Sequence, residues 1–194
     1  MVLIRPKDGY SSTSHPITLF KDEWSDKIDF QVNFASRKAV ESLNSIKLIP
    51  LDQGNIMMIK DIVITESQAA FENQTERHVN CLLNPIPGRT VLGFALKKQQ
   101  TIIGCFRLIL SPEEDQCSLS AFAISMEFQN QGYGKKSLVE IIDYVSARYP
   151  KANVFGLSVN SKNTTAKRLY EKCGFEYHGP FEEHGDTYRL KLRR

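Results

Sequence analysis

The nine residues QNQGYGKKS, at positions 129–137, contain two glycines one residue apart, followed by two lysines and a serine. They stand between a run with strand character and a run with helical periodicity. Glycines at such a junction let the backbone come close to a ligand, and the unpaired N–H groups of a helix's first turn attract an anion. The stretch therefore predicts a diphosphate-binding loop, although a tight strand–helix turn with solvated lysines has the same composition.

Two common phosphate-binding motifs do not fit this stretch. A P-loop needs a serine or threonine directly after its Gly-Lys pair, but Lys136 follows Gly134 and Lys135. A dinucleotide-binding G-x-G-x-x-G motif needs a third glycine where Ser137 stands. What remains is the pattern Q-x-x-G-x-G, which begins at Gln129.

A second motif follows the next predicted strand. Residues 159–175 read V-x-x-x-N-x-x-A-x-x-x-Y-x-x-x-G-F, with the asparagine at Asn163 and the tyrosine at Tyr170. Together with Q-x-x-G-x-G, this resembles the GCN5-related N-acetyltransferase (GNAT) superfamily, and the resemblance covers about residues 46–194. It implies an enzyme that takes acetyl-CoA as its co-substrate and transfers the acetyl group to an amine.

The resemblance also implies roles for individual residues. The backbone of residues 129–135 would hold the pyrophosphate of CoA, and residues 122–124 would pair with the pantetheine arm as an added strand does. Asn163 would hydrogen-bond the pantetheine or pyrophosphate region, and Tyr170 would lie near the thioester sulfur. The expected cofactor-binding residues are Ala123, Ile124, Gln129, Asn130, Gln131, Gly132, Tyr133, Gly134, Lys135, Asn163 and Tyr170.

These residue types suit attack of an amine on a thioester. A backbone N–H near Ile124 would stabilise the developing oxyanion, and Tyr170 is the expected catalytic acid for the departing thiolate. Alternatively, Tyr170 is a packed aromatic side chain, and Asn163 caps a helix. The general base stays open. The candidates are Glu113, Glu114, Asp115, Glu127, His178 and His184, beside a water relay or an amine that is already neutral.

The acetyl acceptor is expected to be a polyamine or another small amine. Gln68 and Phe71, with the phosphate loop, resemble the bacterial polyamine acetyltransferase group. The acidic residues expected around a cationic acceptor are Glu66, Glu72, Glu76, Glu182, Glu183 and Asp186. Two alternatives remain: an enzyme that acetylates a protein or peptide, and a CoA-binding module without catalysis.

The elements that must position these residues form a mixed α/β pattern. Apolar periodicity and turn residues predict strands at 46–50, 90–97, 101–110, 117–125, 153–159, 175–178 and 187–192, with helices at about 72–83, after the phosphate loop, and at 163–173. Residues 55–64 combine helix-like spacing with strand character. This order excludes a doubly wound sheet. The resemblance implies the GNAT fold, in which helices flank a mostly antiparallel sheet around a V-shaped cofactor cleft.

Length, composition and net charge limit the domain organisation and the partners that this chain can have. We expect residues 1–45 to form an arm of unclear role and residues 46–194 to form the acetyltransferase domain. A net charge of +3, with scattered Lys and Arg, does not indicate a nucleic-acid partner. The four cysteines lack metal-ligand spacing, so no metal is expected. No signal peptide or membrane span is recognisable, which predicts a cytoplasmic protein, with a homodimer as a candidate assembly.

Overall fold

The computed structural model of this chain describes residues 45–64, 82–181 and 185–192. Several predictions fall outside these residues: the N-terminal arm, most of the helix at 72–83, and the side chains of Glu66, Glu72, Glu76, Glu182, Glu183 and His184. Gln68 and Phe71 also lie outside them. Of the predicted helix at 72–83, only Leu82 and Leu83 are described, and both are helical.

Seven strands form one sheet, in the order β1-β2-β3-β4-β5-β7-β6. All neighbouring pairs are antiparallel except β4 and β5. The strands are β1 (Ile46–Pro50), β2 (Thr90–Lys98), β3 (Thr101–Leu110), β4 (Gln116–Ile124), β5 (Val154–Asn160), β6 (Glu176–Phe181) and β7 (Gly185–Lys191). Two α-helices are described, α1 (Tyr133–Arg148) and α2 (Thr164–Lys172). The predicted mixed fold with a mostly antiparallel sheet is therefore confirmed.

The parallel strands β4 and β5 are paired only over part of their length. Residues 116–119 pair with residues 154–157, and no pairing between the two strands continues beyond Leu119 and Leu157. At this point β4 contains a bulge, because both Ala121 and Phe122 face the single β3 residue Phe106. Ala121 has a φ of 51°. A bulge bends its strand, so the ends of β4 and β5 diverge and leave a V-shaped gap in the sheet.

Two apolar cores cover opposite faces of the sheet. Ala95, Cys105 and Ala123 belong to one core, and their chain neighbours, including Phe106 and Ile124, belong to the other. Alternate side chains of a strand point to opposite faces. The larger core contains the buried face of α1 (Leu138, Ile141, Val145) and Tyr170 of α2. The smaller core is covered by Ile59, Ile62 and Leu82.

Residues 55–64 form little regular structure. Their helix-like spacing produces a single 3-10 turn, Ile56–Ile59. Ile59 and Ile62 are buried in the smaller core, and Val63 accepts a hydrogen bond from the backbone N–H of Met126. This segment is therefore held by packing and by the hydrogen bond from Met126, which follows β4, in addition to the turn hydrogen bonds within the segment itself.

The cysteines that the structure describes, Cys105, Cys117 and Cys173, are thiols and not disulfides. Burial raises the pKa of Cys117 to about 12, so this thiol stays protonated. Within the described ranges, neither helix is long and apolar enough to span a bilayer.

Candidate active site

A cleft of about 1010 Å³ lies where β4 and β5 diverge. Its walls come from the ends of these two strands, the start of α1 and one side of α2. Nine of the eleven expected cofactor-binding residues line it: Ala123, Ile124, Gln129, Asn130, Gly132, Gly134, Lys135, Asn163 and Tyr170. The sheet thus brings the two sequence motifs, which are about thirty residues apart, into one cavity.

The phosphate loop enters α1 through two left-handed residues. Asn130 has a φ of 58°, and Gly132, the N-cap of α1, has a φ of 81°. In the part of the chain that the structure describes, the backbone N–H groups of Tyr133, Gly134 and Lys135 have no acceptor. Such first-turn donors, together with the helix dipole, form an anion-binding site. The geometry is therefore that of an anion-binding helix N-terminus.

Gln129 connects this loop to the end of β4. Its side-chain amide donates a hydrogen bond to the carbonyl oxygen of Ile124 at 2.8 Å. The next residue, Ser125, donates its N–H to Ile103 of β3. Because successive peptide groups in a strand point in opposite directions, the N–H of Ile124 points away from β3, toward the gap between β4 and β5. It is a fixed donor at the inner end of the cleft.

Ala123 has a different relation to the cleft. It lines the cavity, but its peptide group faces β3, on the side opposite to that of Ile124. A Cβ placed on Gly104 of β3 would lie 2.3 Å from the carbonyl oxygen of Ala123. This close approach explains why glycine occupies position 104.

The two glycines of the loop have different roles. Only Gly132 has a positive φ, and a Cβ there would meet nothing within 4 Å. Gly134 is helical, and its Cβ would lie 3.3 Å from Cδ2 of Leu169 on α2. Gly132 therefore permits the turn, whereas Gly134 permits the start of α1 to pack against α2.

Asn163 caps α2. Its side-chain oxygen accepts a hydrogen bond from the N–H of Ala166 at 3.0 Å, as in a standard N-cap. Asn163 also lines the cleft. Since the cap uses the amide oxygen, the amide NH₂ group remains as a donor that a ligand in the cleft can use.

Tyr170 lies on the inner side of α2 and is only 7% exposed. Its ring contacts the edge of Phe175, with centroids 5.9 Å apart, and tilts against Tyr188 at 6.5 Å. The hydroxyl of Tyr188 donates to Glu171 at 3.1 Å. Tyr170 therefore packs as an aromatic core residue and lines the cleft as well.

Asp186 does not form the free acidic site that the sequence suggested. It is 9% exposed, and the ammonium group of Lys167 lies 2.5 Å from one of its carboxylate oxygens. The hydrogen bond to Asp186 raises the pKa of Lys167. Lys167 of α2 thus neutralises the charge of Asp186. Asp186 is therefore not an unpaired carboxylate that could bind a cationic acceptor.

Gln131 and Tyr133 do not line the cleft. The side-chain amide of Gln131 donates to the carbonyl of Glu127 at 2.6 Å. The ring of Tyr133 stacks edge-on with Phe128, while the ammonium groups of Lys98 and Lys136 lie over it at 4.5 and 5.7 Å. These side chains support the loop from outside, so any contribution of the two residues to binding comes from their backbone.

Several lining residues were not expected from the sequence. Arg168 and Lys172 are four residues apart on α2, a spacing that places both on one helix face and that the sequence already showed. Ile64, Ser158 and Phe181 reach the cleft only through the tertiary fold. Among the described lining residues there is no carboxylate and no histidine. The described candidate bases, Glu113, Glu114, Asp115, Glu127 and His178, are exposed and lie outside this lining.

Known acetyltransferases are similar to this chain in sequence. The model of the family described as "Acetyltransferase (GNAT) family" matches residues 58–175. The spermine/spermidine N(1)-acetyltransferase of Bacillus subtilis is 25% identical over 153 residues, covering 76% of this chain and 98% of that protein. The [ribosomal protein bS18]-alanine N-acetyltransferase of Haemophilus ducreyi is 32% identical over 126 residues, covering 61% and 81%.

A solved structure shares the fold. The spermidine N-acetyltransferase of Vibrio cholerae, crystallised in complex with CoA and spermine, superposes with a TM-score of 0.62 at 18% identity. The match covers 76% of this chain and 96% of that protein.

Proposed function

Because this chain belongs to the GNAT family of acetyltransferases, we propose that it is an acetyl-CoA-dependent N-acetyltransferase whose acceptor is a polyamine or another small primary amine. The observation that carries the proposal is the continuity of one cleft. It joins the free N–H groups at the start of α1 to the N–H of Ile124 and to Tyr170. A diphosphate, an extended arm and a thioester lie in this order along a CoA thioester.

The residues present fit such a co-substrate. The first turn of α1 would hold the diphosphate through backbone N–H groups, with Lys135 adding positive charge. The edge of β4 that β5 leaves unpaired would bind the amide-containing pantetheine arm. Asn163 would donate from its amide NH₂ group to that arm. Acetyl-CoA, when bound there, supplies an activated acetyl group as a thioester.

Two groups of this chain would act on the reaction. The N–H of Ile124 would stabilise the negative charge that develops on the acetyl oxygen. Tyr170 would protonate the departing thiolate, since this residue of α2 lines the cleft. Because the described lining offers no carboxylate or imidazole, we assign the proton of the amine to water in the cleft.

Support for a polyamine or other small amine comes from two sources. The relative from Bacillus subtilis is named for spermine and spermidine, and the Vibrio cholerae protein was crystallised with spermine. In addition, Ile64, Phe122 and Phe181 give the cleft apolar surface of the kind that the methylene groups of such an amine would contact. Asp186, the one described residue among the carboxylates expected around a cationic acceptor, is paired with Lys167. Acidic contacts to a polyamine would therefore come from other residues.

A second candidate acceptor is the N-terminal amine of a peptide. The relative from Haemophilus ducreyi, named for a ribosomal-protein alanine, has the higher identity of the two, although over a shorter stretch. A CoA-binding module without catalysis is less well supported, because Tyr170 and the N–H of Ile124 meet the same cavity.

The test is an acceptor panel with acetyl-CoA, in which free CoA thiol is measured and products are identified by mass. The panel contains spermidine, spermine, a diamine, an aminoglycoside and a short peptide beginning with alanine. We expect turnover of the polyamines. Turnover of the peptide alone would transfer the proposal to peptide N-termini, and tight binding of acetyl-CoA without any turnover would favour the non-catalytic module.

A further inference from the structure

Three cationic side chains line the cleft. Lys135 lies in the first turn of α1, and Arg168 and Lys172 lie one helical turn apart on α2. In the described ranges none of the three is within ion-pair distance of a carboxylate, whereas their neighbour Lys167 is paired with Asp186. Like charges one turn apart on a helix repel each other. An anion in the cleft would remove this repulsion.

The three cations line the same cavity as Gly134 and Leu169, which lie where the start of α1 meets α2. Gly134 and Leu169 form that contact, with 3.3 Å between a Cβ at position 134 and Cδ2 of Leu169. Lys135 follows Gly134, and Arg168 precedes Leu169. The cations therefore gather beside the predicted diphosphate site.

A CoA molecule has more phosphate than the loop can bind. The backbone N–H groups of α1 serve the diphosphate, but the ribose also bears a 3′-phosphate. A phosphomonoester has a charge between −1 and −2 at neutral pH. Arginine binds such a group through a planar fork of N–H donors, and lysine does so through a mobile point charge.

We propose that Arg168 and Lys172, together with Lys135, bind the 3′-phosphate of CoA and make the enzyme selective for CoA thioesters over dephospho-CoA thioesters. This inference rests on the proposed function, because it takes CoA to be the ligand of the cleft. It adds a second recognition point, made of side chains, to the one made of backbone at the start of α1.

The test is calorimetry with CoA and with dephospho-CoA, which keeps the diphosphate and lacks only the 3′-phosphate. Wild-type protein is expected to bind CoA at least about tenfold more tightly, the size of a charge-assisted contact. Arg168→Gln and Lys172→Gln should each weaken CoA binding about threefold to tenfold and leave dephospho-CoA binding unchanged. Lys151→Gln is the control, since Lys151 is exposed beyond the end of α1 and outside the cleft.

The salt dependence gives an independent readout. The affinity for CoA should fall more steeply with salt than the affinity for dephospho-CoA, and the two slopes should converge in the Arg168→Gln variant. Equal wild-type affinities for the two compounds would overturn the inference and leave the proposed function intact. Equal losses for both compounds in the variants would also overturn it, because the cations would then act on the diphosphate. A wild-type protein that binds neither compound would overturn the proposed function itself.

Discussion

Tyr170 has a packing role in the structure and a proposed role as the catalytic acid, and a substitution can separate the two. Its ring packs between Phe175 and Tyr188, which makes it part of the main core, and the same residue lines the cleft. The packing depends on the ring and the acid catalysis on the hydroxyl. Removing only the hydroxyl therefore tests the chemistry without changing the shape of the core.

We expect Tyr170→Phe to lower kcat by about 100-fold, the lower end of what a general acid contributes. The KM for acetyl-CoA should hardly change, because the ring still packs. Steady-state kinetics with varied acetyl-CoA measures both. Tyr177→Phe is a matched control, since Tyr177 is 57% exposed on β6. A Tyr170→Phe enzyme with wild-type kcat would leave Tyr170 as a packing residue only.

Gly132 is the loop glycine whose backbone conformation favours glycine over other residues. Its φ of 81° is costly for a side-chain-bearing residue, by about 1–2 kcal/mol, although a Cβ would meet no atom within 4 Å. Gly132→Ala should therefore lower Tm by several degrees and weaken acetyl-CoA binding, as the loop relaxes away from its anion-binding form. Gly132→Asn should lose less, since asparagine tolerates this conformation better. Thermal melts and calorimetry give both values, and equal effects of Ala and Asn would contradict the argument.

At the scale of elements, the start of α1 and one side of α2 approach each other at the wall of the cleft. Gly134 and Leu169 meet there, so a larger residue at position 134 has to displace Leu169 or separate the helices. Because the anion-binding N–H groups belong to the same turn, this displacement affects the diphosphate site directly.

Gly134→Val is accordingly expected to abolish measurable acetyl-CoA binding, since the branched side chain enters the space that Leu169 occupies. Gly134→Ala is the graded control. Its Cβ meets only the end of a flexible side chain, so it should keep partial binding. Binding by calorimetry and folding by circular dichroism distinguish the two effects. Unchanged affinity in folded Gly134→Val protein would contradict the assignment of this loop to the diphosphate.

The ion pair of Lys167 and Asp186 joins α2 to β7. Asp186→Asn should lower Tm by about 1–4 °C at neutral pH, within the range for partly exposed pairs in a protein of this size. Pairing raises the pKa of Lys167. A cation whose pKa is higher in the folded state than in the unfolded state stabilises the fold. This stabilisation is complete below the ordinary lysine pKa of about 10.4, and it is lost as the pH rises through the pKa of the folded state. The difference in Tm between wild type and Asp186→Asn should therefore shrink at strongly alkaline pH, and a constant difference would show that charge is not its cause.

At the scale of the whole molecule, the fold gives the amine no described acid–base partner. If water takes the proton of the amine, the pH dependence of the rate should follow the pKa of the acceptor amine and not the pKa of a residue of the protein. For spermidine, kcat/KM should rise about tenfold per pH unit until the amine is largely neutral. An alanine peptide, whose α-amino pKa is about 8, should level off at lower pH. One shared pKa near neutrality for both acceptors would instead identify a base on the protein, with His178 and His184 as the candidates.

Much of this protein can be read from its sequence, because the features concerned are local. The left-handed turn at Gly132, the cap at Asn163 and the apolar face of α1 each depend on a few consecutive residues and their hydrogen bonds. The two motifs within about residues 129–175 were therefore sufficient to predict the family and the nature of its co-substrate.

Other features depend on contacts between distant parts of the chain. The bulge at Ala121 and the limited pairing of β4 with β5 open the cleft, and neither has a local sequence signal. The direction of the Ile124 N–H follows from strand register, and the pairing of Asp186 with Lys167 follows from how α2 packs on β7. The sequence by itself determined the chemical groups and their local conformations. Only the tertiary structure decided which of these groups face the cleft, because burial and register depend on how the sheet and helices pack together.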